Sequence, residues 1–193
     1  IAESRLSAYA KQFENAEKVG EIMGTDLVGK SYTPLFDYYA NTSDLLYQVI
    51  PADYVSDADG TGIVHIAPAF GEDDFWAAKN IDANFPVILN VDDYGNFDAT
   101  VRDWVGENIF TANPKIIQYL RENGHLVKKE QYKHSYPFGP RSKEKLIYRA
   151  TDSWYIDVPK LREKLIANNE KVHWTSAGER FRTWISGARP WSI

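Results

Sequence analysis

The amino-acid sequence predicts an α+β protein, mainly β, with helices set around short strands. Short apolar runs rich in β-branched and aromatic residues fall at 45–55, 63–66, 85–91, 126–136 and 146–157, bounded by Gly, Pro or Asp/Asn clusters. Helical spacing takes over in the second half, at Ile116, Ile117 and Leu120, at Leu161, Leu165 and Ile166, and at Phe181, Trp184, Ile185 and Ala188. With 44% apolar and 25% charged residues in 193, the chain has an ordinary globular balance and enough length to bury a core.

In order along the chain, Glu3 to Gln12 reads as a short helix that Ser4 can cap. Residues 18–30 read as irregular, with Gly20, Gly24 and Gly29. In Tyr32-Thr33-Pro34-Leu35-Phe36-Asp37-Tyr38, Pro34 restrains the backbone and the aromatics are expected in the core. The run 45–55 alternates loosely, is interrupted at Pro51, and gives way to a turn at Asp57 to Gly60. Beyond the strand at 63–66, the acids Glu72, Asp73 and Asp74 suit the positive end of a helix running on through Trp76 to Asn80. A strand at 85–91 is followed by the turn Asp92-Asp93-Tyr94-Gly95-Asn96. Asn113 reads as an N-cap with Pro114 at the first helical position, and Gly124 stops that helix. A later helix starts after Asp157 with Pro159, and a last one spans Glu179 to Ala188. The expected internal boundary lies near Phe110, dividing 1–110 from 111–193.

Composition narrows the function classes. No apolar run approaches the roughly 18 residues that span a bilayer, and no basic-then-apolar leader opens the chain. The lack of cysteine excludes disulfides and thiolate metal sites and fits the expected cytoplasmic location. The net charge of −5 hides an asymmetry: residues 1–127 carry 8 basic and 20 acidic side chains, residues 128–193 carry 14 and 7. The densest basic window holds Lys128, Lys129, Lys133, Arg141, Lys143, Lys145 and Arg149, interleaved with Tyr132, Tyr136, Phe138 and Tyr148. Cations hold phosphates and rings stack on bases, so the window suits a nucleic-acid surface. A solvated hairpin with inward aromatics fits it equally.

The stretch that carries chemistry is Gly60-Thr61-Gly62-Ile63-Val64-His65-Ile66-Ala67-Pro68-Ala69-Phe70-Gly71-Glu72-Asp73-Asp74-Phe75. It reads as a buried strand, a tight loop and a helix start, with Thr61, Ile63 and His65 on one strand face. Such a unit brings an imidazole and a carboxylate together from positions nine apart, and the paired glycines let a ligand or another backbone approach. The same residues also suit a hydrogen-bonded structural histidine and acids that only complement a helix dipole. Gly-Thr-Gly precedes the strand and lacks a third glycine, so this is no dinucleotide fingerprint. One His among carboxylates, without a second spaced imidazole or thiol, makes no metal site.

These residues resemble the editing-site signature of the class I isoleucyl-, valyl- and leucyl-tRNA synthetases, in the domain inserted into their catalytic core. The isoleucyl branch resembles Gly-Thr-Gly-x-Val-His-x-Ala-Pro followed by paired acids; the valyl branch carries Lys at the His65 position and the leucyl branch usually Met. Tyr32-Thr33-Pro34-Leu35-Phe36, the Asp92-x-x-Gly95 turn, Ala112-Asn113, His134-Ser135-Tyr136-Pro137-Phe138, Leu146-Ile147-Tyr148-Arg149-Ala150, Ser153-Trp154-Tyr155 and Gly187-Ala188-Arg189-Pro190-Trp191-Ser192-Ile193 are similar to the same family, so the likeness covers nearly the whole chain. Two departures stand out. A Thr-rich run that walls the family's editing pocket is expected before Ile1, and Pro137-Phe138-Gly139-Pro140-Arg141 replaces the commoner Pro-His/Phe-Cys-Trp-Arg.

The resemblance implies a closed or partly closed β-barrel with surrounding helices, and hydrolysis of valine esterified to the 3′ acceptor end of the isoleucine tRNA. In that role Asp74 holds the substrate's α-ammonium and His65 lies beside the aliphatic side chain, limiting its size. Backbone groups of Gly60, Thr61, Gly62, Ile63 and Val64 meet the terminal adenosine, with Asp73 the neighbour that only register separates from Asp74. No Ser or Cys nucleophile is paired with a base, so water attack aided by a ribose hydroxyl is the expected route. These residues need no cofactor; ATP and Mg belong to the synthetic site of the parent enzyme. The expected partners are tRNA and the remainder of a synthetase chain, with the segment itself monomeric. Three other readings stand beside this one: a non-catalytic module docking the tRNA acceptor arm through the basic window, the equivalent editing domain of a valyl- or leucyl-tRNA synthetase, and a carbohydrate-binding domain suggested by six Trp and twelve Tyr.

Overall fold

The computed structural model describes residues 1–193 and resolves into two units, Ile1–Ala150 and Thr151–Ile193. The contacts thin after Ala150, whereas the sequence places a boundary near Phe110. The difference lies in helix α2 (Ile109–Glu122), which is built into the first unit's core. Val101, Trp104 and Ala112 are buried there, with Phe36, Tyr38, Phe97 and Ile116 packed around them. Phe36 meets Trp104 edge-on at 5.3 Å and stacks on Tyr38 at 5.5 Å, and Tyr119 of α2 closes on both Phe36 and Trp104. Such aromatic pairs add about 0.5–1.5 kcal/mol each beyond their burial. The segment around Pro34 thus delivers Phe36 and Tyr38 to the core as expected, whereas Tyr32, expected there too, is exposed.

Asn108, not Asn113, caps α2: its side chain accepts from the Phe110 amide at 3.1 Å. The same side chain donates to the Tyr94 carbonyl at 3.0 Å, fastening the 92–96 turn to the helix start. Pro114 therefore sits inside the helix, where the amide it lacks would have bonded the Phe110 carbonyl. An interior proline costs about 3 kcal/mol, and the burial of Ala112 and Ile116 offsets that cost. Asn-Pro is a cap signal only where tertiary packing does not extend the helix past it. The C-terminal end follows the sequence, with Gly124 at φ 72° just beyond the cap Asn123.

Helix α1 (Glu72–Ile81) opens on three acids and buries Ala78. The segment expected as the first helix is a 3-10 helix, Glu3–Tyr9, without a side-chain cap; Ser4 Oγ instead donates to Asp57 at 2.6 Å. Of the runs expected as strands in this unit, 45–55 and 85–91 each give one residue to a single antiparallel bridge, Gln48 with Ser31 and Val91 with Phe97, and 126–136 gives none; two further bridges, Asn96 with Asn108 and Phe138 with Lys145, lie outside the expected runs. The 63–66 run has no ladder partner, and Ile63 and Val64 are 56% and 51% exposed, so it is not the buried strand its β-branched residues suggest. Apolar β-branched side chains favour extended backbone, but burial needs a neighbouring layer, which this run lacks.

The second unit packs helix α3 (Val158–Asn169) against α4 (Gly178–Ser186) and holds the one regular sheet, β1 (Tyr155–Ile156) antiparallel to β2 (Trp191–Ser192). Pro159 sits in the first turn of α3, as expected. Arg162 donates to the Ala188 carbonyl at 3.0 Å, and the buried Asn169 accepts from Trp174 Nε1 at 3.0 Å. Of the α4 residues expected inward, Ile185 is buried while Phe181 and Trp184 are exposed and stack on each other at 5.6 Å. No helix is long and apolar enough to cross a membrane.

Candidate functional site

Residues 65–70 of the stretch 60–75 line a cleft in the first unit. Gly60 and Gly62 have φ of 59° and 77°, a region costing other residues about 1–2 kcal/mol. A Cβ on Gly62 would lie 2.6 Å from that of Ala2. The close approach comes from the N-terminal segment: the Ala2 amide donates to the Thr61 carbonyl at 2.8 Å, and Arg5 donates to the carbonyls of Gly60 and Ala58 at 2.9 Å each. Of the five residues expected to meet an adenosine, Gly60 and Thr61 therefore have their carbonyls engaged. Thr61 Oγ1 also donates to the Ile63 carbonyl at 2.8 Å. The backbone groups of Gly62 and Val64 carry no hydrogen bond.

Past the exposed His65 the chain turns at Pro68 and enters α1. Here the three acids part company. Glu72 and Asp73 are exposed, whereas Asp74 is half-buried and turned back toward the strand end. Its Oδ2 accepts from the Ala67 amide at 2.9 Å, and its Oδ1 accepts from the Tyr54 hydroxyl. The return path crosses Gly71, the α1 N-cap, where an added Cβ would lie 3.0 Å from Asp74 Oδ2. Burial, reinforced by the Asp74 carboxylate, pushes the Tyr54 phenol above its ordinary range. Tyr54 thus stays protonated and remains a donor.

His65 lines a cleft of about 190 Å³ with Tyr39, Tyr47, Ile50, Phe85 and Ile88. Tyr32 meets Tyr47 edge-on at 6.0 Å in its wall, and burial raises both phenols' pKa. Tyr47 itself is held at φ 57°, a conformation that a bulky residue keeps only where its surroundings enforce it. Asp74 does not line this cleft; its carboxylate accepts from the amide of Ala67, which does, two residues on from His65. The imidazole and the carboxylate share no hydrogen bond; the Ala67 amide bonds the carboxylate alone. The arrangement offers a small apolar recess, an imidazole on its wall and an anion fixed beside it.

The basic window separates into spent and free cations. Arg149 donates to the Val91 carbonyl at 3.1 Å and pairs with Asp93 at 2.7 Å. Lys128 pairs with Glu130 at 2.5 Å and lies 4.6 Å from the Tyr9 ring centre, and Lys145 lies 5.1 Å from that of Phe110. Lys129, Lys133, Arg141 and Lys143 are exposed and without an ion pair. Beside them Tyr132, His134, Tyr136 and Phe138 form a ladder of rings at 5.9–6.0 Å spacing. Those rings are exposed, not inward.

The model of the tRNA synthetases class I (I, L, M and V) matches residues 7–193. The chain belongs to the class I tRNA synthetases. This synthetase chain is 41% identical over 198 residues to the isoleucine–tRNA ligase of Bdellovibrio bacteriovorus. It is 39% identical over 197 residues to that of Chlamydia trachomatis serovar L2, and 39% identical over 205 residues to that of Mycobacterium leprae. Each alignment takes in all of this chain and 19% of the relative, so the chain spans about a fifth of the length of the curated relatives it matches. The synthetase signature on 60–75 marked His65 and the paired acids. It did not mark Tyr54, which lies twenty residues before Asp74 in a run that reads only as a loose strand.

Proposed function

We propose that this chain is the proofreading segment of an isoleucine–tRNA ligase, hydrolysing the ester of valine on the isoleucine tRNA. The observation that carries the reading is Asp74: alone of three adjacent acids it is turned inward, held by two donors beside the cleft that His65 lines. The names of these three relatives, each an isoleucine–tRNA ligase, support the parent enzyme in this reading.

A carboxylate has about four lone-pair positions, so an Asp74 that accepts two hydrogen bonds keeps room for an ammonium. A charge-assisted contact of that kind contributes about 1.5–3 kcal/mol and orients the ester. The aliphatic side chain enters the small recess, and His65 limits its length. A second site is needed because one methylene in an apolar pocket discriminates by only about 1–3 kcal/mol. Water adds to the ester carbonyl, the acyl C–O bond to the ribose breaks, and the ribose oxygen leaves with a proton. A ribose hydroxyl of the substrate assists that proton movement. The free cations Lys129, Lys133, Arg141 and Lys143 suit the phosphates of the acceptor arm. The barrel architecture belongs to this proposal, as do the cytoplasmic location and the ATP- and Mg-dependent synthetic site elsewhere in the whole protein.

Deacylation of valyl-tRNA by the whole polypeptide carrying these residues tests the reading. Asp74→Ala is expected to abolish it; deacylation at the wild-type rate would overturn the role of Asp74 and the proposal with it.

A further inference from the structure

Asp74 is the anion in the proposed hydrolysis, yet nothing in its own helix fixes its angle. The three acids of α1 are all placed where a helix N-terminus favours negative charge, and two of them point into solvent. What distinguishes Asp74 is a pair of donors from outside the helix: the Ala67 amide on Oδ2 and the Tyr54 hydroxyl on Oδ1. With only the amide bond, the carboxyl group still swings about its Cβ–Cγ bond. The hydroxyl on the second oxygen removes that rotation. Gly71 completes the seat by leaving open the space that the folded-back carboxylate fills.

We propose that Tyr54 is the positioning residue of the hydrolytic site: its hydroxyl, with the Ala67 amide, sets the Asp74 carboxylate at the orientation in which it receives the α-ammonium of the aminoacyl ester. This rests on the reading of Asp74 under Proposed function. Tyr54 suits the task because its ring is partly packed while its hydroxyl stays protonated beside the carboxylate, so it donates throughout the neutral range. It acts on the substrate through Asp74. An unseated carboxylate keeps its charge and still attracts an ammonium. It no longer holds the ester at the angle that water attack needs, and a misplacement of about 1 Å can cost on the order of 10²-fold in rate.

Tyr54→Phe isolates the hydroxyl, since the ring and its packing remain. In the whole polypeptide, with valyl-tRNA as substrate, Tyr54→Phe is expected to lower kcat about tenfold and to leave KM within about threefold of wild type. Hydrogen exchange at the segment containing Ala67 should quicken, because the acceptor of its amide is no longer held. Gly71→Ala, whose Cβ would lie 3.0 Å from Oδ2, should reproduce the kcat loss with Tyr54 intact. If Tyr54→Phe keeps the wild-type kcat while Asp74→Ala is inactive, the positioning role is refuted and the proofreading role stands. A rise in KM alone would make Tyr54 a substrate contact and refute it equally. Should Asp74→Ala itself retain the wild-type rate, the reading of the site fails first.

Discussion

Replacing Asp74 by alanine is expected to weaken the fold as well as the chemistry, and the two effects can be measured apart. The substitution strips the Ala67 amide of an acceptor at 2.9 Å and the Tyr54 hydroxyl of its partner. Ala67 is half-buried, so its amide is only partly rehydrated once Asp74 is gone. A buried donor left unpaired costs about 1–3 kcal/mol. The hydroxyl of Tyr54, which is 43% exposed, finds water and adds little. The expected destabilisation is therefore about 1–3 kcal/mol, equivalent to roughly 2–4 °C in Tm for each kcal/mol in a chain of this size. Urea unfolding of the 193-residue chain, followed by tryptophan fluorescence, reads it directly. Asp73→Ala serves as the control, since its exposed side chain should change stability by less than about 0.5 kcal/mol. Equal midpoints for Asp74→Ala and Asp73→Ala would refute the inward seat of Asp74.

Four other outcomes follow from the same structure. Gly62→Ala forces a side chain into a left-handed conformation and against Ala2; it should cost about 1–2 kcal/mol and speed hydrogen exchange across residues 1–9. Asp92 accepts from the Asn96 and Tyr94 amides at 2.8 and 2.9 Å, which holds its carboxyl below the ordinary value of 3.8. A carboxyl that ionises more readily folded than unfolded stabilises fully above the unfolded value, and that contribution disappears as pH falls through the folded one; Asp92→Asn should remove this part of the acid dependence in a pH series of melts. Reversing Lys129, Lys133, Arg141 and Lys143 to Glu should weaken tRNA binding and flatten its salt dependence, read by fluorescence anisotropy at several salt concentrations. The same reversal at Arg149 should instead disturb the fold, because that guanidinium already holds Val91 and Asp93.

Local signals read well where the chain decides structure locally. The acids 72–74, Pro159 and Gly124 each mark a helix end that the structure also has. Asn113-Pro114 misleads because a cap is chosen by the whole helix: burying Ala112 and Ile116 moves the start back to Asn108. Ile63 and Val64 mislead in the other direction, since β-branched chemistry sets backbone preference but not the presence of a layer to cover it. The signature on 60–75 singled out Asp74 and His65, and the synthetase family is now shown by the match over residues 7–193. Tyr54 stayed hidden because a hydroxyl that reaches a carboxylate twenty residues away leaves no trace in spacing. The engagement of Gly60 and Thr61 by Ala2 and Arg5 was equally invisible, for it depends on how the N-terminal segment lies across them.

The most direct measurement is the rate at which the whole polypeptide releases valine, compared with isoleucine, from the same tRNA. If a recess of this size beside a fixed anion selects the shorter ester, valine is released far faster, and His65→Ala narrows the gap by admitting isoleucine. Equal release of both amino acids by the unaltered protein, or a gap that His65→Ala leaves untouched, would contradict it.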